Sequence, residues 1–258
     1  MGAALVEGII SAGLVDPQEI VVYDQDTAKT DGLQAKLGLK VAQNLSAFCK
    51  ESQKIFISVK PQDISKLLQL IKPYLNINHL LVSVAAGLKI KFYQDYLGKE
   101  QKIIRLMPNT PSLVGEGMIV ACKSECVSSE EEETVIQLLK PLGKVLALEE
   151  AHFDAVTALS GSGPAYIYLV IEALIDGGVA MGLSRDVAQL LASQTVLGAA
   201  KMVLITGLHP ALLKSQVTSP GGITCAALMA LEDGNIRASF AKAVIVGARR
   251  SKEVGSQN

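Results

Sequence analysis

Neither sign of charge dominates this chain. Its formal net charge is −1, and it has no basic cluster and no basic stripe interleaved with aromatics. Nucleic acid is therefore not an expected partner, because phosphate neutralisation needs clustered Lys and Arg. Cysteine is scarce: Cys49, Cys122, Cys126 and Cys225 are scattered, with no Cys-x-x-Cys pair and no histidine nearby. That argues for free thiols in a reducing cytoplasm and against a disulfide framework. Cys122 and Cys126 lie four apart, yet the further ligands a tetrahedral site needs are missing, so no metal is expected. None of the three histidines falls in a recognisable triad, which removes the serine-hydrolase pattern. Signal peptide, internal repeat and low-complexity tract are absent as well. The most apolar long stretch, Ala165 to Met181, carries Glu172 and Asp176 and is broken by Gly177-Gly178. Those features suit a helix buried in protein rather than one in lipid, so no membrane partner is expected.

What is present is a large apolar fraction. Of 258 residues, 49% are hydrophobic and 19% charged, enough for a sizeable core in one large domain or two ordinary ones. The first half alternates short β runs with helical stretches. Glu19 to Tyr23, Lys54 to Val59, His79 to Val84 and Lys102 to Met107 read as strands. Thr27 to Leu37, Pro61 to Leu70 and Lys89 to Tyr96 read as crossover helices between them. Strand, helix, strand at this rhythm predicts an α/β domain, a Rossmann-type parallel sheet binding a dinucleotide, over residues 1–150. Met118 to Ala121 and Val145 to Leu148 add later strands, and Ser129 with Glu132 predicts a capping box on the helix between them. The acidic run Glu130 to Glu133 fits a first helical turn, where the dipole favours negative charge.

From residue 151 to 258 the β signal stops and an all-α domain is predicted. Ala151 to Leu159, Gly163 to Met181, Ser184 to Thr206, Gly222 to Asp233 and Ile236 to Val254 read as helices, with His209 before Pro210 as a helix cap. Helices this apolar on every face need more covering surface than a short chain supplies. An interlocked helical homodimer supplies it; burial of the helices against one another within one chain is the alternative.

The segment Val217-Thr-Ser-Pro-Gly-Gly-Ile-Thr224 is the most specific local feature. Pro220 fixes a backbone angle, and Gly221 and Gly222 remove side chains at a turn. The amides of Gly222, Ile223 and Thr224 then stand at a helix N-terminus, where the dipole favours an anion. Ser219 and the Thr224 hydroxyl flank the same spot, which suits a small carboxylate; an ordinary capped turn explains the segment equally well.

Further motifs run in order along the chain. They are Val59-Lys60-Pro61, Val82-Ser83-Val84-Ala85-Ala86-Gly87, Arg105-Leu106-Met107-Pro108-Asn109-Thr110-Pro111, Leu159-Ser160-Gly161-Ser162-Gly163-Pro164-Ala165-Tyr166, His209-Pro210 and Ser219-Pro220-Gly221-Gly222. In these motifs the chain resembles the pyrroline-5-carboxylate reductases, which make proline by reducing a cyclic imine. The resemblance implies a Rossmann-type domain followed by a dimerisation domain, with dimers assembling further into rings, and a hydride from NADPH or NADH. It implies that Ser219, Gly221, Gly222, Ile223 and Thr224 bind the substrate, with the Thr224 hydroxyl meeting the ring nitrogen as the catalytic contact.

On the cofactor side, Val59, Lys60 and Pro61 follow one strand, Ala85, Ala86 and Gly87 another, and Met107, Pro108 and Asn109 a third. Loops at carboxyl strand ends are where a dinucleotide lies. Lys60 also reads as a solvated lysine and Asn109 as a rigid turn residue. Asp24 after Tyr23 either accepts from a ribose hydroxyl, favouring NADH, or serves a turn; Asn44 is a second ribose contact. Glu149 and Glu150 match an acidic pair that the family places near the cofactor, although a solvated loop carboxylate is the plainer reading. Relative to the family, the sequence begins at the last two positions of the Gly-x-Gly-x-x-Gly turn. Gly2 is the glycine left, the first strand is missing, and Ala3 to Ala12 is the helix facing the pyrophosphate. Two readings follow: an active reductase, or an impaired dimerising paralogue with weak cofactor binding. Gly207-Leu208 stands where relatives carry a polar residue before His-Pro.

Overall fold

The computed structural model describes residues 1–256. It forms two compact units: Met1–Ser162 together with the chain from Val246 onward, and Gly163–Ile245. The first unit begins α1 (Gly2–Ser11), β1 (Val21–Val22), α2 (Thr27–Leu37), β2 (Lys40–Val41), α3 (Leu45–Glu51) and β3 (Lys54–Ile57). It continues α4 (Ile64–Ile71), β4 (Leu80–Ser83), α5 (Ile90–Leu97), β5 (Lys102–Met107), β6 (Gly117–Lys123), α6 (Ser129–Leu139), β7 (Gly143–Ala147) and α7 (Phe153–Val156).

Strands β3 to β7 form one sheet in sequence order, with β3, β4 and β5 parallel. The sheet is mixed rather than wholly parallel, because β6 runs antiparallel to β5. The link from Met107 to Gly117 is too short for the crossover a parallel neighbour demands. Side chains alternate across β5. Ile103 and Met107 join Ile64, Leu68, Tyr93 and Phe153 on one face, while Ile104 and Leu106 join Leu5, Val135 and Leu139 on the other. Helices therefore cover both faces. Burial of each such side chain is worth about 1.5–3 kcal/mol.

β1 and β2 pair only with each other, as a separate parallel ribbon. Among the described residues no strand lies between β1 and β3. Tyr23 and Asp24 at the end of β1 and Ile55 to Lys60 along and after β3 line a cleft of about 510 Å³. The α6 capping box is formed by Ser128 and Glu131, one residue earlier than the sequence pattern suggested. Ser129 is the first residue inside the helix, so its hydroxyl is past the position from which it could cap.

The first compact unit runs on to Ser162. Phe153 is buried in the first unit's core with Val156 packed against it, so α7 belongs to the sheet. Residues Thr157–Gly161 form a π-helical turn between α7 and α8 (Gly163–Ala180). The second unit continues with α9 (Arg185–Thr206), α10 (Pro210–Gln216) and α11 (Ile223–Asp233), and α12 (Ile236–Ser256) returns the chain to the first. α8 and α9 pack through Ile175, Ala188 and Ala192. Their approach is close: a Cβ on Gly178 would stand 3.1 Å from that of Ala188. Burial within one chain does not cover these helices, since Leu190 is 70% and Ile205 81% exposed.

Candidate active site

The cofactor-side residues all belong to the first unit. Asp24, Val59 and Lys60 line the cleft between β1 and β3, together with Lys29 and Lys66. The Asp24 carboxylate accepts the Asp26 amide at 2.9 Å and faces Lys29 Nζ at 3.8 Å, so it serves a turn and lines the cleft at once. Pro61 opens a single 3-10 turn leading into α4. Gly2 begins α1, which has no side-chain cap and no acid in its first turn. A Cβ on Gly2 would come within 2.4 Å of Ser58 Oγ, so this helix start abuts the end of β3. The first helical bond runs from Leu5 to Met1, leaving the amides of Gly2, Ala3 and Ala4 oriented for an anion. Asn44 caps α3, its side chain accepting the Ala47 amide at 2.9 Å.

The loop after β4 is held at both ends. Ser83 Oγ pairs with the buried Tyr93 hydroxyl at 2.6 Å and accepts the Ala85 amide at 3.3 Å. Ala85 is buried and Ala86 exposed, and Gly87 turns the chain at φ +80°, where a side chain would be strained. At the far end, Glu150 Oε1 accepts the Ile90 amide at 2.7 Å and the Arg105 guanidinium at 3.0 Å. Glu150 is thus no solvated loop carboxylate. Arg105 is 3% exposed and lies 4.5 Å from the centroid of the Phe153 ring. Burial raises the Tyr93 hydroxyl, and it pushes the Cys122 thiol, opposite Arg105 on β6, up to about 12. Sequence reading missed Arg105, Tyr93 and Ser83 as site-supporting residues. A lone arginine inside the apolar run Lys102–Met107 was the available clue.

After β5, Pro108 is buried and Met107 half-buried. Met107 Cε fills the space that a Cβ on Gly161 would need, 2.5 Å away. Both ends of the Asn109 side chain are engaged: Nδ2 donates to the Ser160 carbonyl at 3.0 Å, and Oδ1 accepts the Met118 amide at 2.9 Å. The reason lies in the helix. Ser160 would ordinarily accept from the residue four ahead, but that residue is Pro164, which has no amide hydrogen. The chain takes a π turn there, Ser162 donating to Thr157 at 2.8 Å, and Asn109 serves the orphaned carbonyl.

In the second unit the Ser219–Gly222 segment closes a turn. Pro220 occupies its second position, Gly221 has φ +65°, and the Gly222 amide donates to the Ser219 carbonyl at 3.1 Å. Gly222 is thereby removed from the predicted set of anion donors. The first bond of α11 runs from Ala226 to Gly222, and no side chain caps the helix. The amides of Ile223, Thr224 and Cys225 therefore precede the helical ladder. Ile223 is 93% exposed. A Cβ on Gly222 would stand 2.2 Å from Ser219 Oγ and 3.2 Å from the Ser219 carbonyl, so a side chain here crowds the turn. His209 caps α10, its Nδ1 accepting the Ala211 amide at 3.2 Å.

A parallel-stranded core with loops at its carboxyl strand ends is the arrangement of a dinucleotide-binding fold. Known families agree. Residues 1–87 match the NADP oxidoreductase, coenzyme F420-dependent family, and residues 150–254 match the pyrroline-5-carboxylate reductase dimerisation family. The chain is 44% identical to the pyrroline-5-carboxylate reductase of Arabidopsis thaliana, covering 98% of this chain and 92% of that protein. It is 41% identical to that of Methanosarcina acetivorans, over 100% and 95%. The crystal structure of Plasmodium falciparum pyrroline carboxylate reductase with NADP bound superposes with a TM-score of 0.89 at 35% identity, covering 99% of this chain and 94% of that one. The chain belongs to the pyrroline-5-carboxylate reductase family. Similarity over this length gives no support to the impaired-paralogue reading.

Proposed function

We propose that the chain reduces 1-pyrroline-5-carboxylate to L-proline with NADPH or NADH. The observation that carries this is the glycine turn opening onto the uncapped N-terminus of α11 in a chain of this family. The amides of Ile223, Thr224 and Cys225 hold the substrate carboxylate, and the rigid Ser219–Gly222 turn aims them. The Thr224 hydroxyl meets the ring nitrogen and fixes which carbon is presented. No histidine proton relay is required, because a C=N bond is already electrophilic; His209 has a structural role.

The first unit's residues fit a dinucleotide. The free first amides of α1, from Gly2 on, suit a pyrophosphate, and Lys29, Lys60 and Lys66 in one cleft with Asp24 accommodate a ribose 2′-phosphate as well as a bare ribose. Val59, Pro61, Ala85, Ala86, Gly87, Met107 and Pro108 shape the loops along which the cofactor would lie. When bound, the nicotinamide supplies the hydride; the chain orients the imine and excludes water.

The exposed apolar faces of α8 and α9 are covered by a second copy. Helices 150–180 and Arg185–Thr206 are long and apolar enough to span a bilayer by length and composition. Both lie within the region matching a dimerisation family, which favours a protein neighbour over lipid. Dimers can close further into rings. Four free cysteines suit the cytoplasm. Mixing the chain with NADPH and pyrroline-5-carboxylate should consume the reduced-nicotinamide absorbance and yield proline; no turnover would overturn the reading.

A further inference from the structure

Buried Ser83 and Tyr93 and half-buried Glu150 converge on one loop, and none of the three lines the ribose cleft. The loop Val84–Lys89 joins β4 to α5, one strand further along the sheet from the cleft that holds Asp24. Its start is fixed by Ser83 and Tyr93, and its end by Glu150. Glu150 is anchored in turn: Arg105 comes up from the middle of β5, buried against the Phe153 ring, and gives its guanidinium to the same oxygen that takes the Ile90 amide. An unpaired guanidinium at that depth would be costly, so the pair holds its geometry. From the other side, Ser251 Oγ donates to Asp154 at 2.7 Å, and a Cβ on Gly255 would come within 2.9 Å of the Gly87 carbonyl, so the last turns of α12 close over the loop.

We propose that Glu150 is a positioning residue for the nicotinamide half of the cofactor: with Arg105 behind it, it pins the first amide of α5 and so presets the Ala85-Ala86-Gly87 loop. This rests on the dinucleotide reading above. The adenosine half is served by the β1–β3 cleft, which Glu150 does not line. Losing the pin should therefore weaken only that part of the cofactor lying beyond the cleft.

The test compares two ligands on the full-length protein: NADPH, and 2′-phospho-ADP-ribose, which lacks the nicotinamide. Glu150→Ala should weaken NADPH binding about tenfold, as small misplacement of a positioning loop does, with the fragment bound as by wild type. Glu150→Gln keeps an oxygen for the Ile90 amide and should lose much less. Ile90→Pro removes the donor instead of the acceptor. Proline is tolerated at the first helical position, and Lys89 is already extended at φ −83°, ψ 159°. It should show the same selective loss, so the proposal stays testable if Glu150→Ala does not fold. Fragment and dinucleotide weakening together, or NADPH binding unchanged in both Glu150→Ala and Ile90→Pro, would overturn it. The ratio is read without turnover. Failure of the reductase reading would appear separately, as a wild-type chain that binds NADPH and leaves the imine unreduced.

Discussion

In the proposed reaction Thr224 meets the ring nitrogen. Thr224→Ala should lower kcat/KM for the imine about tenfold to hundredfold, the worth of one hydrogen bond of about 1.5–3 kcal/mol to a charged or developing-charge group. NADPH affinity should stay level, which steady-state kinetics with fluorescence titration will check. Gly222→Val acts differently, because its Cβ would collide with Ser219 Oγ at 2.2 Å. With Ser219 Oγ displaced, the valine still crowds the Ser219 carbonyl at 3.2 Å; the turn shifts, the α11 amides lose their aim, and KM for the imine should rise while NADPH binding holds. Cysteine chemistry gives an independent check. Burial raises the Cys49 thiol and takes that of Cys122 to about 12. A thiol reagent at neutral pH should leave both unmodified in the folded chain and label all four cysteines once it is denatured.

Among elements, α6 offers the cleanest measurement. Ser128 and Glu131 cap it reciprocally, and Lys102 Nζ lies 2.7 Å from Glu131. Ser128→Ala should cost about 1 kcal/mol in urea unfolding. The Lys102 ammonium, followed by the Ser128 bonds, holds the Glu131 carboxyl below its usual range. Its folded value is therefore lower than its unfolded one of about 4.3. The stability it confers is present above that unfolded value and disappears as pH falls through the folded one. Glu131→Gln should be less stable than wild type at neutral pH, with the gap closing in acid.

The same elements mark what a sequence can say. Lys102 to Met107 and Thr27 to Leu37 stand where periodicity and composition put them. The two-residue β2 at Lys40–Val41 is too short to show a period. The direction of β6 depends on the length of a loop rather than on the strand itself. Ser219 to Thr224 was legible because proline and glycine constrain a backbone locally. The partnership of Glu150 with Ile90 and Arg105 was not, since it joins residues 60 and 45 positions apart, and only the fold brings them together.

At the scale of the whole molecule, solvent exposure of Leu190 and Ile205 implies a partner surface. Leu190→Glu should shift the protein towards smaller species in sedimentation, with activity falling in step if the dimer is the working unit. Pro164 carries a different consequence. An amide restored by Pro164→Ala would compete with Asn109 for the Ser160 oxygen, letting the Thr157–Gly161 turn regularise. The loop beyond β5 would then lose its tie to that turn. A single ring in the chain thus decides whether two distant pieces of backbone are spliced by a side chain or left to drift independently.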